Sequence, residues 1–193
     1  RWRLIPALLV LYASGVALTQ RRRDDFLIRL VTEVTGRRGF SNIEDPIPAS
    51  QLLHPLEVLE TNLFGQVPRW GGSRPYYPAS RLLKADLRRF FDQFIPSNAD
   101  YVDAAHGFEF RLGFIQEQQQ DVAGANHAMP GEFVGERQWS FEQPPVLRSE
   151  SAFRRAGEQR SDLPCVAYLA GQAAYQQALK SYRPVLERYR YGT

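Results

Sequence analysis

The feature that most constrains how this chain can fold is a nearly uncharged run close to its start. It spans Leu4 to Gln20, with Arg1 and Arg3 before it and Arg21, Arg22 and Arg23 after it. Sixteen of its seventeen residues are apolar or small, which is the short limit for a helix crossing roughly 30 Å of hydrocarbon. Arginine on both flanks, with no acid before Asp24, favours a membrane environment. The expectation is therefore a membrane anchor over 1–23 followed by one soluble domain over 24–193. Two other readings stay open. One is a secretory signal with Gly15-Val16-Ala17 as a small-x-small cleavage site, and the other is a helix buried in the core or against a partner. Pro6 is tolerated in a first helical turn, and Ser14-Gly15 lets a neighbouring helix approach closely.

The charge is unevenly spread. Residues 1–23 hold five arginines and no acid, whereas the remaining 170 residues hold 19 basic and 21 acidic groups. A nucleic-acid binder carries its positive field on the folded domain, so nucleic acid is not an expected partner. Arginine outnumbers lysine 22 to 2, which suits bidentate pairing with carboxylates or lipid phosphates. A first residue that is not Met fits either a chain that begins after removal of an Arg-rich organellar presequence or an incomplete record. A lone cysteine, Cys165, excludes an internal disulfide and a cysteine-rich zinc site; it reads as a buried small hydrophobe.

Along the chain, Asp24-Asp25 caps an amphipathic stretch from Phe26 to Thr35, and 36–50 reads as loop. A short helix is expected from Leu56 to Phe64, then an extended aromatic loop over 65–79 displaying Trp70, Tyr76 and Tyr77. Ser80 to Ile95 is the clearest helix, with an apolar stripe of Leu83, Leu87, Phe90, Phe91 and Phe94. Residues 107–115 alternate Phe108, Phe110, Leu112 and Phe114 with Glu109, Arg111 and Gly113, the pattern of a half-buried strand. Residues 116–131 read as a polar loop, 132–141 as a partner strand, and 148–160 as a charged connector. Pro164 to Tyr182 reads as a helix with Tyr168, Tyr175 and Tyr182 on one side as a packing seam. The fold expected is α+β, mostly helical, with one N-terminal transmembrane helix and a small β element.

No phosphate-binding loop, zinc-protease or nucleophile-elbow motif occurs. Asp100, Asp103 and His106 lie three apart, so on a helix they share a face and could hold a metal. The competing reading is a solvated helix start. Cys165 with His127, or His54, could form a thiol–imidazole pair, but no spacing supports one. No catalytic residue, metal or cofactor is therefore assigned.

The C-terminal stretch interleaves Arg183, Arg188 and Arg190 with Tyr182, Tyr189 and Tyr191, a composition enriched at subunit interfaces. Trp70, Tyr76, Tyr77, Tyr182, Arg183, Arg188, Tyr189 and Arg190 are the candidate partner-docking residues. The layout resembles, in general form, accessory subunits of respiratory complexes or ATP synthases. The function expected is a non-catalytic single-pass accessory subunit of a large membrane complex, in the mitochondrial inner membrane. Its partners would be other subunits, lipids around 4–20, and anionic headgroups. A bacterial envelope adaptor is the alternative, followed by a hydrolase or metalloenzyme.

Overall fold

A computed structural model describes residues 2–37, 46–53, 55, 58–59, 78–123, 148–160 and 162–188. The described elements are α1 (Ile5–Gln20), α2 (Asp24–Thr32), β1 (Thr35–Gly36), β2 (Ile47–Pro48), α3 (Ala49–Leu52), α4 (Pro78–Phe91), α5 (Asn98–Ala123), α6 (Arg148–Gln159), α7 (Pro164–Tyr168) and α8 (Gln172–Arg188). A short 3-10 turn, Trp2–Leu4, leads into α1.

The organising element is α5, in which every residue from Ala104 to Gln116 is buried. The other helices wrap it: α1 on one side, α4 on a second, α6 and α8 on a third, with α3 across its C-terminal half. Phe108 faces α1, meeting Tyr12 edge-on at a centroid distance of 5.1 Å. On the far side of α5, Phe110 and Phe114 are four apart and share a face. They stack among Phe153 of α6 and Tyr175 and Tyr182 of α8 at 5.5–6.0 Å.

This geometry overturns two expectations. The segment 107–115 is the middle of a helix, not a strand. Because α5 is enclosed on all sides, Phe108 finds an apolar neighbour on α1 while Phe110 and Phe114 find theirs on α6 and α8. Its charged residues find internal partners. The strand pairing expected between 107–115 and 132–141 does not form, and 132–141 lies outside the described residues. The β structure described is instead a two-residue antiparallel ladder, Thr35 with Pro48 and Gly36 with Ile47.

The second correction concerns the membrane anchor over 1–23. No helix among the described residues is long and apolar enough to cross a membrane. Sixteen residues make α1 about 24 Å long at 1.5 Å per residue, short of the hydrocarbon thickness. Its Leu8, Leu11, Tyr12, Gly15 and Val16 are buried, and Gly15 lets Phe108 lie against the α1 backbone. The apolar run is a core helix. The fold is mostly helical around that core, not an anchor with a mixed domain behind it.

Backbone chemistry sets where α1 stops. Arg23 N–H donates to Leu18 O at 2.9 Å and Arg22 N–H to Thr19 O at 3.1 Å. Arg22 adopts φ 54, completing a Schellman ending without the usual glycine. The chain reverses there, and α2 lays Leu27, Ile28 and Val31 on the core. The expected C-terminal helix is present as two pieces. Gly171 N–H bonds Val166 O at 2.9 Å, Ala170 sits at φ 62, and Gly171 itself at φ 125. This closes α7 and lets α8 restart, running past the expected end at Tyr182 through Pro184 to Arg188.

Of the remaining expected elements, the helix over 80–95 matches α4 with its ends shifted. The connector over 148–160 is α6. The helix expected at 56–64 and the loop over 65–79 fall almost wholly outside the described residues.

Candidate functional site

The chemistry-bearing residues concentrate on α5, where four polar side chains are buried: His106, Glu109, Arg111 and Gln116. A buried charge or amide is costly unless paired, so each must be met by a neighbour.

Toward α4 the partners form a small square. His106 and Glu109 are three apart on α5, and Ser80 and Lys84 four apart on α4, so both pairs project from one helix face toward the other. Ser80 Oγ donates to Glu109 Oε1. Lys84 Nζ lies 3.1 Å from His106 Nε2. Burial, and secondarily the Lys84 charge, pull the His106 pKa down to about 3, leaving a neutral imidazole whose Nε2 accepts from the ammonium. Tyr101 closes the square by donating from its hydroxyl to Lys84 O at 2.6 Å. Burial raises its pKa to about 12, so it is a phenol under ordinary conditions. From the other side Tyr12 of α1 approaches the Glu109 carboxylate. Burial first, then the Glu109 charge and a hydrogen bond to it, hold the Tyr12 pKa far above the usual value.

Toward α2 the partner is Asp24. Arg111 Nε donates to Asp24 Oδ1 at 2.8 Å, Nη1 donates to Gly107 O at 3.1 Å, and the guanidinium lies 4.9 Å from the centroid of the Phe153 ring. Beside this pair Asp24, Leu27, Ile28, Arg111, Phe114, Ile115, Phe153 and Cys165 line a crevice of about 10 Å³, roughly one water molecule. Burial, then the Asp24 charge, push the Cys165 pKa up to about 11, so the sulfur is a thiol and not a nucleophilic thiolate. Further along α5, Gln116 Nε2 donates to Ser50 O at 2.6 Å and Ser50 Oγ donates to Gln119 Oε1 at 2.6 Å. Glu150 of α6 is wholly buried and takes Arg154 Nε at 2.9 Å.

The residues singled out from sequence are dispersed. Asp100 is exposed in the first turn of α5, Asp103 is half-buried, and His106 points at Lys84, so the three do not converge. No group of three His, Cys, Asp or Glu among the described residues is placed to hold a metal. Cys165 sits beside Asp24 and Arg111; His127 and His54 lie outside the described residues. Of the docking candidates, Tyr182 is fully buried against α5, Arg183 is exposed, and Arg188 ends α8. Trp70, Tyr76, Tyr77, Tyr189 and Arg190 lie outside the described residues.

Sequence reasoning missed Glu109 and Arg111 as buried partners. The signal for Glu109 was its spacing of three from His106, matched by Ser80 and Lys84 at spacing four. The partner of Arg111, Asp24, is 87 positions away in sequence. No protein-family model, curated protein or solved structure matches the chain.

The arrangement suits structural specification. Each buried polar group on α5 fixes one neighbour at one height: Ser80 and Lys84 for α4, Tyr12 for α1, Asp24 for α2, Ser50 for α3. A slip of any helix by one turn would strand a charge or an amide in the core.

Proposed function

We propose that this chain is a non-catalytic accessory subunit that docks onto a helix of another subunit in a larger assembly. The observation that carries the proposal is the outer side of α1. A helix that is apolar all round is normally enclosed on all sides. One side of α1 lies on α5, yet Pro6, Ala7, Leu9 and Val10 remain exposed, Val10 at 63 %. Arg3, Pro6, Ala7 and Val10 follow the i, i+3, i+4, i+7 spacing of one continuous strip. Small and β-branched residues on such a strip allow close helix approach, and Arg3 supplies a charged rim.

The rigid, polar-keyed core supports the same reading, because it holds that strip in a fixed orientation without a partner. Attachment to a membrane complex, the mitochondrial inner membrane foremost, would run through partner subunits and surface contacts, since α1 is occupied in the core.

Native gel electrophoresis of the tagged chain in extracts of its own cells tests the proposal. The wild-type chain should migrate with a complex, and Val10→Asp should release it while leaving its circular dichroism unchanged. Migration of the wild-type chain as a free 22.1 kDa protein would overturn the proposal.

A further inference from the structure

A second exposed apolar surface lies at the opposite end of α1. There the last turns of α1, the end of α4 and the start of α5 meet in a small cluster of Val16, Phe91, Ile95, Tyr101, Ala104 and Ala105, with Ala13 and Ala17 against it. Immediately outside that cluster Phe90 and Phe94 are 61 % and 67 % exposed, one helical turn apart with centroids at 6.1 Å. On α2, Phe26 is 47 % exposed, with the Arg23 guanidinium 4.3 Å from its ring centroid.

Charge at this corner is net positive by a small margin, with Arg21, Arg22 and Arg89 set against Asp100 and against Asp86, which is exposed on α4 one turn before Phe90. Three exposed acids are already engaged: Asp92 with Arg88 at 3.1 Å, Asp25 with Arg23 at 3.0 Å, and Glu33 with Arg29 at 2.9 Å. Arg21, Arg22 and Arg89 are exposed and make no ion pair among the described residues. Asp100 sits at the N-terminal turn of α5, where the positive end of the helix dipole offsets it.

We propose that this corner is a peripheral binding site for an anionic phospholipid surface. Phe90 and Phe94 enter the boundary between headgroups and acyl chains, and Arg21, Arg22 and Arg89 pair with lipid phosphates. A second copy of the chain is disfavoured as the occupant, because the same arginines would face each other. An acidic protein partner is disfavoured by shape. Hot-spot aromatics of protein interfaces sit in well-packed pockets. Here two rings project from a helix end, a form suited to a soft apolar layer. Interfacial binding of this kind scales with inserted apolar area plus attraction to anionic lipid.

The test is co-sedimentation of the full chain with phosphatidylcholine vesicles, with and without phosphatidylserine, at low and high salt. Binding is expected only with phosphatidylserine and is expected to fall as salt rises. The triple variant Arg21→Gln/Arg22→Gln/Arg89→Gln should lose roughly a hundredfold in partition coefficient, from about a factor of five per charge. Phe90→Ala/Phe94→Ala should lose at least about tenfold. All substituted positions are exposed, so circular dichroism should match the parent. No vesicle binding, equal binding without phosphatidylserine, or unchanged binding in either variant would overturn the proposal. Self-association abolished by Phe90→Ala/Phe94→Ala, without vesicle binding, would reassign the surface to a second copy.

Discussion

Gly15 is the point at which the packing of α1 on α5 can be tested most sharply. A Cβ built on Gly15 overlaps Cε2, Cδ2 and Cζ of the Phe108 ring, and Phe108 is wholly buried, so the ring has no open space to move into. Two effects oppose each other in Gly15→Ala. Alanine is favoured over glycine in a helix interior by about 1 kcal/mol. Overpacking a filled core costs about 1–3 kcal/mol, and here the clash is with a ring held by its surroundings, so the upper part of that range applies. The net expectation is destabilisation by about 1–2 kcal/mol. Phe108→Leu removes two of the three overlapped atoms, Cε2 and Cζ. In that background Gly15→Ala should become neutral or stabilising, by up to about 1 kcal/mol. The coupling is therefore about 2 kcal/mol, well above the roughly 0.5 kcal/mol scatter of independent sites. Urea unfolding followed by circular dichroism, with unchanged m-values, measures it. Equal effects of Gly15→Ala in both backgrounds, or full stabilisation of the parent, would refute the contact.

Three further outcomes follow from the buried groups. Asp24→Ala leaves the Arg111 guanidinium without its carboxylate and should cost about 3–5 kcal/mol in urea unfolding, while Asp24→Leu/Arg111→Met should cost clearly less. His106 titrates near pH 3 in the fold against about 6.5 when unfolded, so it contributes no pH dependence above about pH 6.5. Below that, the unfolded state takes a proton that the folded state refuses. Stability then falls by up to about 1.4 kcal/mol per pH unit until the folded imidazole protonates near pH 3; His106→Gln should flatten this slope between pH 6.5 and 5. Cys165, its pKa pushed up to about 11, should react with alkylating reagents only on unfolding, and Cys165→Ala should cost about 1 kcal/mol.

The amphipathic elements were legible in the sequence, and the enclosed ones were not. In α2 and α4 apolar residues recur at helical spacing because one side of each helix meets water, and that contrast is what periodicity reports. Helix α5 has no wet side from Ala104 to Gln116, so its sequence shows no helical period, and chance alternation of phenylalanines with charged residues imitated a strand. The run in α1 looked like a membrane span because its exposed strip is as apolar as its buried side, and a helix enclosed by lipid is likewise apolar all round. Length was the discriminating feature, together with Gly15, whose close approach needed a specific neighbour. The break between α7 and α8 had its signal in Gly171. The role of α6 was hidden because its core side carries a charge, Glu150, beside Phe153 and Gly157, so its sequence shows no apolar stripe. Of the candidate site, single residues were visible but their pairing was not, since Arg111 finds Asp24 and Gln116 finds Ser50 only after the helices pack.

Helix α1 is a core helix with one buried side and one exposed side. Thiol labelling in detergent-free buffer tests it directly, using Leu8→Cys and Val10→Cys in a Cys165→Ala background. Leu8 is 0 % exposed and Val10 63 % exposed. Val10→Cys should react with a water-soluble maleimide at nearly the rate of a free peptide thiol, and Leu8→Cys only at the rate of unfolding. Equal rapid labelling of both positions in buffer, with protection of both appearing only when lipid bilayers are added, would contradict the account.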